Sequence, residues 1–156
     1  MQQVISPAKR LEGAVVLPGD KSISHRYAMI ASIAEGESRI KRFSSGGDNQ
    51  STLRCMEALG IQVDRSTEGE IVIHGKGLDG LREASGELDA GNSGSTMRML
   101  SGILAAQPFT TRMGGDESLS KRPMDRIMQP LAQMGASIQA RDGRFPPLTI
   151  EGRKLN

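Results

Sequence analysis

The sequence predicts an α/β fold in which one β-α-β-α-β-β unit occurs twice, and three observations predict it. Short runs rich in Val and Ile alternate with stretches of helical apolar spacing, glycines close the helical stretches, and the order of these signals in the first half returns in the second. The landmarks keep their order while their offsets drift: Arg26 to Arg98 spans 72 residues, Asp48 to Asp116 68, Gly60 to Gly135 75 and Gly75 to Gly152 77. Drifting offsets are what loop-length changes leave behind in a duplication. Alternation alone also arises in α/β chains that never duplicated.

Residues 2–17 carry Val4, Ile5, Val15, Val16 and Leu17 between the breakers Pro7 and Gly13, and read as two short strands. Pro18 and Gly19 turn the chain, and Asp20 is an N-cap type. Ile23, Tyr27, Ile30 and Ala34 then recur near helical spacing until Glu35-Gly36 ends the run. Residues 38–43 read as a strand, 44–48 as a glycine loop and 49–59 as a helix closed by Gly60; 61–63 and 71–73 read as strands of a hairpin turning at Glu68-Gly69. The second pass gives a small-residue loop at 91–95, a helix at 96–106 and a strand at 109–113. Gly114-Gly115-Asp116 then echoes Gly46-Gly47-Asp48. A helix from near Pro123 to Gly135 and strands at 137–140 and 148–150 around Asp142-Gly143 complete the unit. Residues 76–90 and 153–156 read as polar connectors, the second abrupt.

At 156 residues the chain suffices for one cored domain or two small subdomains. Twenty Lys and Arg against 18 Asp and Glu leave a net charge of +2, without the basic excess of a nucleic-acid protein, and four aromatic residues make no stacking platform. Nine methionines suggest an adaptable core. Cys55 cannot form an internal disulfide and sits among Leu53, Met56 and Leu59 as a small hydrophobe. There is no apolar leader and no 18-residue apolar run, so the expectation is a protein of the reducing cytoplasm.

Three Gly- and Ser-rich loops hand over to basic residues: 19–22 with Lys21, Ser22 and Arg26, 91–95 with Arg98, and 114–120 with Lys121 and Arg122. Small residues let backbone amides approach an oxyanion, Arg grips phosphate or carboxylate as a fork, and Lys acts as a point charge. Cations at a helix N-terminus oppose the macrodipole unless an anion sits among them. Plainer readings stand beside this one. Asn92 to Ser95 also suits a simple turn and cap, Arg98 could brace a neighbouring loop, and Lys121-Arg122-Pro123 could be a solvated helix start. His25 and His74 read as structural or surface residues, and Asp116 with Glu117 lacks the further ligands of a metal site. A nucleotide P-loop needs Gly directly before the Lys, where Asp20 stands, and no G-x-G-x-x-G follows a strand.

L-P-G-D-K-S-I-S-H-R at 17–26, G-N-S-G-S-T-M-R at 91–98, G-D-E-S-L-S-K-R-P-M at 115–124 and P-P-L at 146–148 closely resemble the 5-enolpyruvylshikimate-3-phosphate synthase family over nearly the whole chain. The resemblance implies transfer of the enolpyruvyl group of phosphoenolpyruvate to the 5-hydroxyl of shikimate 3-phosphate, with no metal or organic cofactor. It assigns Lys21 to both substrates, Ser22 and Arg26 to shikimate 3-phosphate, and Gly94 and Arg122 to phosphoenolpyruvate. Asn92 and Ser95 would shape that loop and Arg98 support it. The sister UDP-N-acetylglucosamine enolpyruvyl transferases fit less well, because no K-N-A opening is present and Lys21-Ser22 with Arg26 suits the shikimate branch. Ser93 and Ser95 stand where the family often has Ala and Thr, and Met99 where many members have Pro; these bear on how the inhibitor glyphosate would fit.

The resembled fold is an inside-out α/β type with six repeats in two domains, of which two repeats are expected here: 1–18 as N-terminal strands and domain crossover, 19–80 as the first repeat, 81–156 as the second. The Ser-Ala-Gln-type segment and the acidic, Arg and Lys residues of the other domain fall outside these residues. The expectation is therefore a fragment without turnover of its own, with exposed helix faces that favour self-association or a complementing chain. A non-catalytic anion-binding or interaction module of the same descent is the alternative. Neither a nucleic acid nor a membrane is an expected partner.

Overall fold

The computed structural model describes residues 3–65 and 69–155. Helix α1 (Lys21–Ile33) starts where Asp20 accepts a hydrogen bond from the Ile23 amide at 2.7 Å, the expected N-cap. Strand β1 (Glu35–Lys41), helix α2 (Gly47–Ala58), strand β2 (Gln62–Asp64) and strand β3 (Glu70–Lys76) follow. The second unit contains β4 (Leu88–Asp89), α3 (Gly94–Ala105), β5 (Thr110–Gly114), a short 3-10 turn (Leu119–Lys121), α4 (Asp125–Gln133), β6 (Ser137–Arg141) and β7 (Phe145–Glu151).

The two sheets have the same wiring. In the first, β3 lies between β1 and β2 and is antiparallel to both; in the second, β7 lies between β5 and β6 in the same way. Helix ends repeat too. Gly60 and Gly135 adopt φ of +88° and +94° just past α2 and α4, and the following amides, Ile61 and Ala136, reach back to Met56 and Leu131. That is a glycine C-cap made twice. Gly75 and Gly152 are the second such pair. A Cβ on Gly75 would lie 2.1 Å from the Ala31 carbonyl oxygen at the end of α1, and one on Gly152 1.9 Å from the Gln107 oxygen just past α3. Each strand runs against the C-terminal end of its unit's first helix, and only glycine permits the approach.

The helices α1, α2 and α3 contact one another, and each also packs on strands. Leu53, Met56, Met97, Leu100 and Leu104 are fully buried there with Ile73, Met113, Leu148 and Ile150 from the sheets, in one continuous core. Each such Leu or Met withdrawn from water contributes about 1.5–3 kcal/mol. Cys55 is buried and its thiol is pushed up to about 12, by desolvation first and by Asp89 second, so it is inert packing as expected.

Several sequence expectations need correction. The two strands expected in residues 2–17 do not form among residues 3–17: Val4, Ile5, Val15 and Val16 are each more than 80% exposed. Alternation measures the capacity to pair, and no sheet edge among the described residues takes this segment up. Only the second unit has a leading strand; β4 runs parallel to β5, whereas the matching edge of β1 is open among the described residues. Helix α1 ends before Glu35-Gly36 as expected, but these residues already belong to β1, which starts three residues ahead of the expected strand, with Gly36 opposite Gly75. Gly94 and Ser95 belong to the first turn of α3 rather than to a loop, because Ser93 caps that helix. The hairpin joining β2 and β3 forms as expected, but its turn residue Glu68 lies outside the described residues.

Gly75→Val is expected to lower stability by about 3 kcal/mol, because backbone carbonyls cannot give way as side chains can. Gly102→Ala, inside α3 with open space around its Cβ, is expected to raise it by up to about 1 kcal/mol. Urea midpoints moving in these opposite directions would support the close approach of β3 to α1; a neutral Gly75→Val would contradict it.

Candidate functional site

Lys21 is the first residue of α1, so its backbone position follows from the Asp20 cap. Its ammonium pairs with Asp48 in the first turn of α2, and its carbonyl accepts a 2.8 Å hydrogen bond from the buried Asn49 amide group. Ser22 and Arg26 lie on the exposed side of the same helix, where the Arg26 guanidinium donates to the Ser22 carbonyl at 3.0 Å. An exposed hydroxyl and an exposed guanidinium one helical turn apart suit a diffusible anion better than a structural pair.

The second cluster assembles around Asn92. Gly91 turns with φ +56°, its amide held by the Asp89 carboxylate at 2.7 Å while its carbonyl accepts from the Asp116 amide at 2.9 Å. This docks the 91–94 loop on the 115–118 loop. Asn92 then faces two ways: its Nδ2 donates to Asp116 Oδ2 at 2.6 Å, and its Oδ1 accepts from Arg122 Nη2 at 2.7 Å. Arg122 also donates to the Asn92 carbonyl at 3.3 Å and the Ser118 hydroxyl at 3.1 Å. The Asn92 bond and the Leu119 amide hold the Asp116 carboxyl below its usual range.

Gly94 lies where Arg98 and Arg122 converge. A Cβ there would be 2.6 Å from Arg98 Nη1 and 3.6 Å from Arg122 Nη1, so any side chain would displace a guanidinium. Arg98 donates to the Pro123 carbonyl at 3.2 Å, which makes it a brace for the 122–124 segment, and its buried Nε lacks a protein partner. Ser95 is half-buried in the first turn of α3. Lys121 is paired with Glu117 at 2.6 Å on the exposed side of the 3-10 turn, apart from this convergence.

The two clusters meet at Asp48. Its carboxylate holds Lys21, and its carbonyl lies 3.3 Å from the Thr96 hydroxyl, two residues along from Gly94. Sequence reasoning missed Asp48 as the partner of Lys21 and Asp116 as that of Asn92, although the echo of Gly46-Gly47-Asp48 in Gly114-Gly115-Asp116 was the available signal. Asp48 holds the first residue of its unit's first helix, and Asp116 holds Asn92, which immediately precedes the Ser93 cap of the corresponding helix. The site therefore offers three or more cations, helix N-terminal amides and neutral hydrogen-bond donors, chemistry that suits a ligand with several phosphate or carboxylate groups. Among the described residues there is no cluster of His, Cys, Asp and Glu able to hold a metal ion, and no helix long and apolar enough to cross a membrane.

His25 is fully buried beneath this site, with Nδ1 2.6 Å from the Thr52 hydroxyl, while His74 pairs with Asp64 at 2.8 Å. Desolvation lowers the His25 pKa from its ordinary 6.5; Asp48 pulls it back up, and Lys21 and Arg26 push it further down. The unfolded chain therefore takes up a proton near pH 6.5 that the folded chain refuses, and stability is lost as pH falls below about 6.5. The lowered Asp64 and Asp116 titrate well below this window. We expect the urea midpoint to fall between about pH 7 and pH 5.5 and His25→Asn to reduce that fall; an unchanged pH slope in the variant would refute the assignment.

The EPSP synthase (3-phosphoshikimate 1-carboxyvinyltransferase) family model matches residues 5–156. The 3-phosphoshikimate 1-carboxyvinyltransferase of Solibacter usitatus is 70% identical over 99% of this chain, and that of Koribacter versatilis 56% identical over 97%. The EPSP synthase structure from Acinetobacter baumannii superposes with a TM-score of 0.86 at 46% identity, over 90% of this chain and 32% of that one. The chain spans 36% of the Solibacter relative and 35% of the Koribacter one. With sequence, fold and matched span in agreement, the chain belongs to the EPSP synthase family and corresponds to about a third of its relatives' length.

Proposed function

We propose that these residues form part of the site at which the enolpyruvyl group of phosphoenolpyruvate is transferred to the 5-hydroxyl of shikimate 3-phosphate. The observation that carries the reading is the convergence of Gly94, Arg98 and Arg122 about Asn92, tied through Asp48 to Lys21. In this reading Ser22 and Arg26 hold shikimate 3-phosphate, Gly94 and Arg122 hold phosphoenolpyruvate, and Lys21 lies between the two. Asn92, Ser95 and Arg98 keep the phosphoenolpyruvate loop in shape.

The chemistry asks for fixed charge. The 5-hydroxyl oxygen adds to C2 of phosphoenolpyruvate while its methylene carbon takes up a proton, giving a tetrahedral adduct with phosphate and carboxylate still attached. Loss of phosphate and of one methyl proton then restores the double bond. Cations and amides already held in place stabilise that adduct without reorganising. Arg122, fixed by three hydrogen bonds, suits a phosphate or carboxylate fork, and Lys21 can exchange Asp48 for an incoming anion. We read the 156-residue chain as a cytoplasmic piece of this machinery that binds but does not turn over.

Calorimetric titration of the chain with shikimate 3-phosphate is expected to give submillimolar binding that Lys21→Ala weakens at least tenfold, as expected for loss of a charge-assisted hydrogen bond. No binding by the unaltered chain would sink the reading.

We also infer that residues 19–80 and 81–156 act as successive repeats whose open faces await a complement. Ile23, Tyr27 and Ile30 of α1 are each more than half exposed, and Tyr27 and Ile30 share a groove with Ser38 and Ile40 of β1, whose outer edge is open among the described residues. Such a stripe next to unpaired backbone favours association. Size-exclusion chromatography across protein concentration is expected to show a shift to larger species; a concentration-independent monomer would contradict it.

A further inference from the structure

The buried seam beneath the site is not accounted for by substrate contacts. His25 of α1 lies 2.6 Å from the Thr52 hydroxyl of α2, Thr52 lies 2.7 Å from the Thr96 hydroxyl of α3, and Thr96 lies 2.8 Å from the hydroxyl of Ser93, the N-cap of that helix. All four side chains are fully buried. The Ser93 oxygen also accepts from the Thr96 amide at 3.1 Å, which is the bond that caps α3.

Proton counting gives the chain a direction. Each hydroxyl has one hydrogen. The Thr96 hydrogen is directed at Ser93, with the Asp48 carbonyl as its other acceptor at 3.3 Å, so it is not available to Thr52. Thr52 must then donate to Thr96, and what reaches Thr52 must be a donor: His25 Nδ1–H. His25 Nε2 has no partner in either sense; the opposite sense would leave a buried N–H donor there in place of a bare lone pair and would withdraw the Thr96 hydrogen from both of its acceptors. The charged groups that face the ring are Asp48 on α2 and Lys21 and Arg26 on α1; the two cations disfavour a second proton on it.

We propose that His25 is a positioning residue: as the donor that begins a buried hydrogen-bond chain through Thr52 and Thr96 to Ser93, it fixes the α3 N-cap, and with it the Gly94 amide, against the Lys21 end of α1. The proposal rests on the reading that Lys21 and Gly94 serve one anionic ligand. It gives the duplicated fold a reason to thread polar groups through its helix packing, since the two half-sites lie in different repeats and the chain crosses from one to the other.

The test combines two readouts on the 156-residue chain. Nitrogen-15 spectra of the imidazoles, with His74→Gln to remove the other histidine, are expected to show His25 as the neutral Nδ1–H tautomer at pH 7. An Nε2–H tautomer or an imidazolium overturns the proposal whether or not any variant folds. Thr52→Val, which keeps the shape and removes the hydroxyl, is expected to move the Gly94 and Ser95 amide resonances and weaken phosphoenolpyruvate binding about fivefold to tenfold, as loss of one neutral hydrogen bond would. Thr52→Ser is expected to restore both. If the unaltered chain binds no phosphoenolpyruvate, the reading that Lys21 and Gly94 share it fails, while tautomer and amide shifts still decide the positioning role. Unmoved amides in a folded Thr52→Val chain overturn it.

Discussion

Three helices from two repeats meet through hydroxyls and one imidazole, and this polar seam constrains everything built above it. Ser24, His25, Ser32, Ser51, Thr52, Thr96 and Ser101 are buried there among the aliphatic side chains. A buried polar group costs about 1–3 kcal/mol when left unpaired, so each of these must find its partner in one arrangement of the helices. Ser32 and Ser101 do so by donating to carbonyls one turn back at 2.7 Å, which keeps the solution local. Thr52, Thr96 and His25 instead bond across helices, and that ties the first repeat to the second. Aliphatic contacts alone would tolerate sliding between helices; a hydrogen-bond chain running from His25 through Thr52 and Thr96 to Ser93 does not.

The site is a consequence of that fixed packing. Each repeat contributes a helix N-terminus with small residues, and each places a Gly-Gly-Asp turn beside it. In the first repeat Asp48 holds Lys21, and in the second Asp116 holds Asn92, which holds Arg122. The same local device thus orients an ammonium in one copy and a guanidinium in the other. Lys21 is half-exposed and paired with a single carboxylate, whereas Arg122 is held by three hydrogen bonds. One cation can adjust to a ligand and the other is fixed before it arrives, a division that suits the proposed reaction, in which charge would move from phosphate ester to adduct to free phosphate.

Much of this was legible in the sequence because it is local. The Asp20 cap, the glycines at 60 and 135, the β2–β3 hairpin and the arginine-bearing loops all follow from residues a few positions apart, and the duplication made each signal visible twice. What was not legible depends on distant partners. Val15, Val16 and Leu17 alternate like a strand, but no sheet edge among the described residues takes them up. His25 is structural, one of the two roles the sequence leaves open, but its partner Thr52 is 27 positions away, and no spacing rule links an imidazole to a hydroxyl on another helix. Arg98 could brace a loop or touch a ligand; its bond to the Pro123 carbonyl makes it a brace, while its proximity to Gly94 leaves it at the edge of the site. The role of Gly75 and Gly152 could be seen as a repeat landmark, but their steric cause required the helix ends to be in place.

The central claim is that residues from two repeats serve one ligand. Its most direct test is a titration of the nitrogen-15-labelled chain with phosphoenolpyruvate in the presence of saturating shikimate 3-phosphate, following the amides of Lys21 and of residues 91–95. The account predicts that both groups shift along a single saturation curve with one dissociation constant. Two curves with separate constants, or shifts confined to one repeat, would contradict it.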